Sequence, residues 1–146
     1  MIRFAYHLDS RRAVFRAIAT RQEYIAMNFL ADVFLDTFTW SGGNTSLEAI
    51  ACNLPIVTCP GEFMRGLHAY SFLKMLGVTE TIAQNEEEYI EIAVKLGLDS
   101  EWRRDISQRM SERHALLFDD KVCVTALESF YQGVVRERLK QLTVDS

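Results

Sequence analysis

"DVFLDTFTWSGGNTSLEAIACNLPIVTC", residues 32 to 59, sets a helical pattern between two strand-like apolar runs. The first run, "DVFLD" (32–36), is continuous enough to predict a strand buried on both faces. The second, "IVTC" (56–59), reads the same way and is closed by Pro60-Gly61. Between them Gly42 and Gly43 open a helix over "TSLEAIAC". Asn53, and the restriction that Pro55 places on Leu54, end it. Strand, helix, strand in such short order predicts a parallel βαβ unit, and with it an α/β fold.

Working outward, "AVFRAI" (13–18) alternates as a strand does, and "IRFAYHL" (2–8) reads as a strand or a helix tail. Thr20 is placed to cap a helix from Arg21 to Phe29. Beyond the βαβ unit, Met64 to Leu76 carries apolar residues at helical spacing and Gly77 is a stop signal. "ETIA" (80–83) is a short possible strand, and Asn85 caps a helix over 86–96. The remainder is helical, roughly 99–117 and 120–140. The expected organisation is one domain, 1–146, with an α/β part over about 12–98 and a helical tail over about 99–146. That tail should pack on the outside or reach another domain. Only three convincing strands and a short one are present, whereas a full Rossmann domain has about six. The expectation is therefore a partial Rossmann-like parallel sheet, a truncated domain whose natural start lies before Met1.

Composition narrows the function. With 49 % apolar residues, the chain suits a globular protein. No stretch reaches the roughly 18 apolar residues that span a bilayer, and no signal peptide is expected. A net charge of −4 without a long basic cluster argues against nucleic acid as a partner. Cys52, Cys59 and Cys123 lack the paired spacing of zinc or redox sites and read as buried, reduced thiols. Cytoplasmic location, with no membrane partner, is the expectation.

The turn at residues 36–48 carries the functional question. Ligands of open parallel sheets bind where strand ends lead into helix N-termini, and free N–H groups there suit phosphate. Glycines allow close backbone approach, and Asn44, Thr45 and Ser46 add side-chain donors. Neither a Walker lysine nor a GxGxxG fingerprint is present. "Thr45-Ser46-Leu47-Glu48" also matches a capping box, in which hydroxyl and carboxylate satisfy the helix's own donors. Spacing alone does not choose between cap and phosphate cradle.

A longer stretch, "LADVFLDTFTWSGGNTSLEAIACNLPIVTCPGEFMRG", with the later "IAQNEEEYIEIAVKLG", resembles the C-terminal catalytic region of the SPINDLY-type protein O-linked N-acetylglucosamine transferases, particularly bacterial relatives. The likeness runs from about residue 12 to 135. It implies the C-terminal, nucleotide-sugar-binding lobe of a GT-B glycosyltransferase. The donor would be UDP-GlcNAc or a related UDP-sugar, and the acceptor a protein engaged through a missing lobe. By the resemblance, Gly43, Asn44 and Thr45 bind the diphosphate and Glu48 the ribose hydroxyls, although many relatives have Asp there. Ala19, Arg21 and Tyr24 in "IATRQEY" would lie at the uracil; Arg21 and Tyr24 replace the lysine and histidine of the animal enzymes. No DxD-like pair lies near the turn, so no metal cofactor is implied. The catalytic residue is unassigned, because the resemblance places the family's charge-stabilising lysine upstream, in a part this chain is not expected to contain. The isolated chain is expected to be inactive. The alternative is a non-catalytic nucleotide-binding or interaction fragment, with self-association through an exposed sheet edge.

Other residues carry weaker signals. Glu62, Arg65 and His68 follow the second strand at the same edge, either lining a site or capping a helix. Asp36 is the likelier site neighbour of the two aspartates flanking the strand, though a structural turn role is favoured. Trp40 either covers a sugar or packs the loop. Trp102, Phe130 and Tyr131 read as helix-packing residues, and His7 and His114 as incidental.

Overall fold

The computed structural model describes residues 20–144, with side chains through Leu142. The expected strands at 2–8 and 13–18, His7 and Ala19 lie outside the described residues. Thr20 opens α1 (Arg21–Asn28) through a full capping box: its hydroxyl accepts from Glu23 N and the Glu23 carboxylate from Thr20 N. Strand β1 (Phe34–Leu35), helix α2 (Asn44–Ala51) and strand β2 (Ile56–Val57) then form the parallel βαβ unit, in register Phe34↔Ile56 and Leu35↔Val57.

The ladder is shorter than the apolar runs suggest. Thr58 continues it only as an isolated parallel bridge to Ile82, which is all that "ETIA" contributes. Burial on both faces holds for β2 but fails for β1, where Leu35 is 59 % exposed. Among the described residues β1 pairs with β2 alone.

A 3₁₀ turn (Met64–Gly66) precedes α3 (His68–Leu76), which splits the single helix expected over 64–76. Gly77 ends α3 in the left-handed region, φ +64°, where a side chain would be strained. Asn85 caps α4 (Glu86–Leu98) by accepting from Glu88 N, and the acidic first turn Glu86–Glu88 complements the helix dipole. Next come α5 (Ser100–Glu112) and the short α6 (Ala115–Phe118), where one helix was expected, and then α7 (Val122–Val144).

The core forms around β2. Ile56, Val57, Ile50, Leu73, Leu76, Val78 and Leu96 are fully buried, joined by Ile106 and Met110 from α5. Burial of each such side chain contributes about 1.5–3 kcal/mol. Trp102 packs against this core and carries Lys95 Nζ 4.1 Å from its ring centroid. Helix α7 behaves differently: every described side chain on it is exposed. Phe130 and Tyr131 contact each other edge-on but are 63 % and 59 % exposed, so they are not core-packing residues. The thiol expectation is corrected in part: all three cysteines are free, but Cys52 and Cys59 are half-buried and Cys123 is exposed. Cys123 lies on α7, which has no burying neighbour among the described residues.

Candidate functional site

The chain leaves β1 at Asp36, the residue that organises everything beyond it. Asp36 is 4 % exposed, and its carboxylate accepts three hydrogen bonds: from Ser41 Oγ (2.8 Å), Thr58 Oγ1 (2.7 Å) and the Gly42 backbone N–H (2.8 Å). Its backbone carbonyl accepts from the Tyr89 hydroxyl at 2.8 Å. Burial first, and then the nearby Asp36 charge, push the Tyr89 phenol up to about 12. The structural role favoured for Asp36 is the one it plays. Sequence offered no sign that Ser41, Thr58 and Tyr89 would be its partners, because they arrive from three separate segments.

Ser41 extends the clamp to the second loop of the same edge. Its N–H donates to Arg65 O (2.8 Å), its hydroxyl accepts from Ala69 N (2.9 Å), and its carbonyl lies 3.2 Å from His68 Nδ1. The loops after β1 and β2 are therefore joined, and the N-termini of α2 and α3 are held side by side.

The glycines differ in function. A Cβ on Gly42 would fall 2.5 Å from Thr45 Oγ1 and 2.6 Å from Ser46 Oγ, so the close turn requires glycine there. Among the described residues a Cβ on Gly43 would meet His68 Nδ1 at 3.9 Å, an ordinary contact. Gly43 is the N-cap of α2, and no side chain caps it. The capping box expected at Thr45–Glu48 is not formed, because the helix begins at Asn44 and both residues already lie inside it. The first-turn N–H groups have no acceptor within the helix and, with its dipole, favour an anion. Ser46 Oγ is fully buried without a hydrogen-bond partner.

Glu48 turns instead to α1, where its carboxylate accepts from Arg21 Nε at 2.7 Å. Tyr24 lies beside Thr45, Asn28 and Glu48; burial raises its pKa, hydrogen bonding to Asn28 opposes this, and the Glu48 charge adds to it. Arg21, Asn44 and Glu48 line one cavity of about 600 Å³, with Ile25, Leu47, Ala51 and Phe118 as its apolar wall. That volume is in the range of small-molecule sites. Phe118 comes from α6, far along the chain, and nothing local in the sequence marks it. Thus Gly43, Asn44, Thr45, Glu48, Arg21 and Tyr24 are brought together.

Trp40 is 68 % exposed, so it does not pack into the loop. Glu62 and Arg65 line a separate shallow hollow of about 230 Å³ with Phe38, Thr39 and Phe63, and Arg65 lies over the Phe63 ring. Asp32 pairs with Arg103 at 3.1 Å, away from the turn. His114 joins helices: Nε2 lies 2.9 Å from Ile50 O and its ring meets Phe118 edge-on. No group of three or more metal-ligating side chains occurs among the described residues, and no described helix is long and apolar enough to cross a membrane.

A parallel βαβ unit whose glycine turn presents a bare helix N-terminus at the carboxyl edge defines a Rossmann-like lobe. The particular family follows from comparison: the chain belongs to glycosyl transferase family 41, whose model matches residues 2–127. It is 36 % identical over 116 residues to the UDP-N-acetylglucosamine--peptide N-acetylglucosaminyltransferase of Caenorhabditis elegans, covering 78 % of this chain and 10 % of that protein. It is 30 % identical over 123 residues to the probable SPINDLY transferase of Petunia hybrida, covering 82 % of this chain and 13 % of that one. Among solved structures it matches a mutant O-GlcNAc transferase of Thermobaculum terrenum with TM-score 0.70 and 32 % identity, over 84 % of this chain and 24 % of that one. The expected fold, a lobe of a GT-B glycosyltransferase, agrees with this likeness. The chain spans a small part of the length of each relative.

Proposed function

We propose that this chain is the UDP-sugar-binding part of a glycosyltransferase that moves N-acetylglucosamine from UDP-GlcNAc to serine or threonine of proteins. The observation that carries the reading is the uncapped N-terminus of α2, held open at the carboxyl edge of the sheet by the Asp36 clamp. Family membership supplies the chemistry to which that geometry is suited.

Transfer from a UDP-sugar breaks the bond between the anomeric carbon and the β-phosphate oxygen, and negative charge grows on the departing diphosphate. In this reading the backbone N–H groups at Gly43, Asn44 and Thr45, with the Asn44 and Thr45 side chains, stabilise that charge. They do so without a metal ion. Glu48 takes the ribose hydroxyls, which requires it to share or release Arg21. Arg21, Tyr24 and Ala19 flank the base. The acceptor groove and the remaining catalytic groups belong to parts of the enzyme outside these 146 residues, and the protein works in the cytoplasm.

Calorimetric titration with UDP tests the reading. Binding is expected, and Asn44→Ala and Glu48→Ala should each weaken it about tenfold, the scale of one hydrogen bond to a charged group. A folded chain that ignores millimolar UDP would refute the proposal for this chain. UDP-GlcNAc turnover by the chain alone is not expected, and its detection would overturn the division of labour.

A further inference from the structure

We propose that His68 is a donor-binding residue whose imidazole contacts the diphosphate of a nucleotide held at the start of α2. This rests on the UDP reading above and adds a residue from the second loop. His68 is the first residue of α3, yet its ring lies against the turn that opens α2. Among the described residues, setting aside its own chain neighbours and helix backbone, His68 Nδ1 is the atom that lies within 4 Å of the space a side chain on Gly43 would fill. Glycine at 43 lets the backbone come close to a ligand, but it supplies no side chain to hold one. The imidazole stands at that vacancy.

Its orientation is fixed. The Ser41 carbonyl, 3.2 Å from Nδ1, can only accept, so Nδ1 carries the proton and Nε2 is left for a ligand. Ser41 is itself immobilised by Asp36 and Ala69, which ties the ring to the same clamp that shapes the glycine turn. With both nitrogens protonated, the ring donates to Ser41 through Nδ1 and to a phosphate oxygen through Nε2. The reading above gives Arg21 to the base, and Arg65 lies over Phe63. His68 is the side chain that the clamp brings to the start of α2.

The test compares UDP with uridine, which lacks the phosphates, by calorimetry on the full chain. His68→Ala removes both ring contacts. His68→Asn keeps a donor near the position of Nδ1 for the Ser41 carbonyl but has nothing in place of Nε2. Both variants should bind UDP about tenfold more weakly, and uridine within twofold of the parent. The imidazole Cε1–H resonance of His68 should also shift when UDP, but not uridine, is added to the parent. Undiminished UDP binding by His68→Asn, or an unmoved resonance, would show that His68 only tethers Ser41 and would overturn the proposal. A parent that binds no UDP at all would remove the nucleotide reading itself, an outcome distinct from both. If His68→Ala does not fold, His68→Asn and the resonance still decide.

Discussion

Replacing Asp36 with alanine tests the clamp. The substitution strips the acceptor from two hydroxyls, Ser41 and Thr58, and from the Gly42 N–H. A hydrogen bond to a charged group contributes about 1.5–3 kcal/mol, and a buried donor left unmet costs about 1–3 kcal/mol. The hydroxyls can rotate to other acceptors, whereas the Gly42 N–H cannot. Relief from burying a carboxylate offsets part of the loss. The expected net destabilisation is about 4 kcal/mol, a fall in thermal midpoint of roughly 12–15 °C for a domain of this size. Asp36→Asn keeps an oxygen for Gly42 and turns its amide to the hydroxyls, so it should lose only about 1–2 kcal/mol. Urea denaturation followed by circular dichroism, with a thermal scan alongside, reads both values. If Asp36→Ala melts within about 3 °C of the parent, or Asp36→Asn does as much harm as alanine, the clamp is not what holds the turn.

Three further outcomes follow from the geometry. Gly42→Ala should destabilise by about 1–3 kcal/mol through overpacking against Thr45 and Ser46, while Gly43→Ala, with open space beside it, should fold almost as the parent does; equal midpoints would refute this. Gly77→Ala should cost about 1–2 kcal/mol, since φ is +64° and the new methyl would meet Arg113, whose guanidinium donates to Leu76 O at 2.8 Å; denaturant midpoints check it. The folded Tyr89 pKa of about 12 exceeds the ordinary 10.0, so its stabilisation is complete below pH 10 and is lost as pH rises through 12. Tyr89→Phe should be less stable at neutral pH but lose less between pH 10 and 12, and parallel stability curves would count against the assignment.

How much could be read in advance depended on whether a signal was local. Thr20, Gly77 and Asn85 ended or began helices as expected, because a cap acts on residues three or four positions away. The same local rule misplaced the start of α2. The motif Thr45–Glu48 has the right letters, but the turn enters the helix two residues earlier and Glu48 finds a better partner in Arg21. Strand length was overestimated because apolar runs record burial, whereas a ladder also needs a neighbour at every position. Of the residues that the resemblance nominated, Gly43, Asn44, Thr45, Glu48, Arg21 and Tyr24 lie close together, while Ala19 lies outside the described residues. The clamp was not legible: Asp36, Ser41, Thr58 and Tyr89 meet through contacts up to 53 positions apart, which no spacing rule encodes.

The clamp also bears on the timing of order. Because one carboxylate ties the glycine turn to both strands of the sheet, the turn is ordered when the sheet forms, before any ligand arrives. A loop that stiffened only on binding would cost roughly 1–2 kcal/mol per residue fixed at that moment. Here that entropy is lost during folding, so on the proposed reading a nucleotide meets a glycine turn that is already ordered, and only the Arg21–Glu48 pair has to rearrange. The Gly42 amide should accordingly exchange with deuterium as slowly as the strand amides, opening with the sheet rather than on its own.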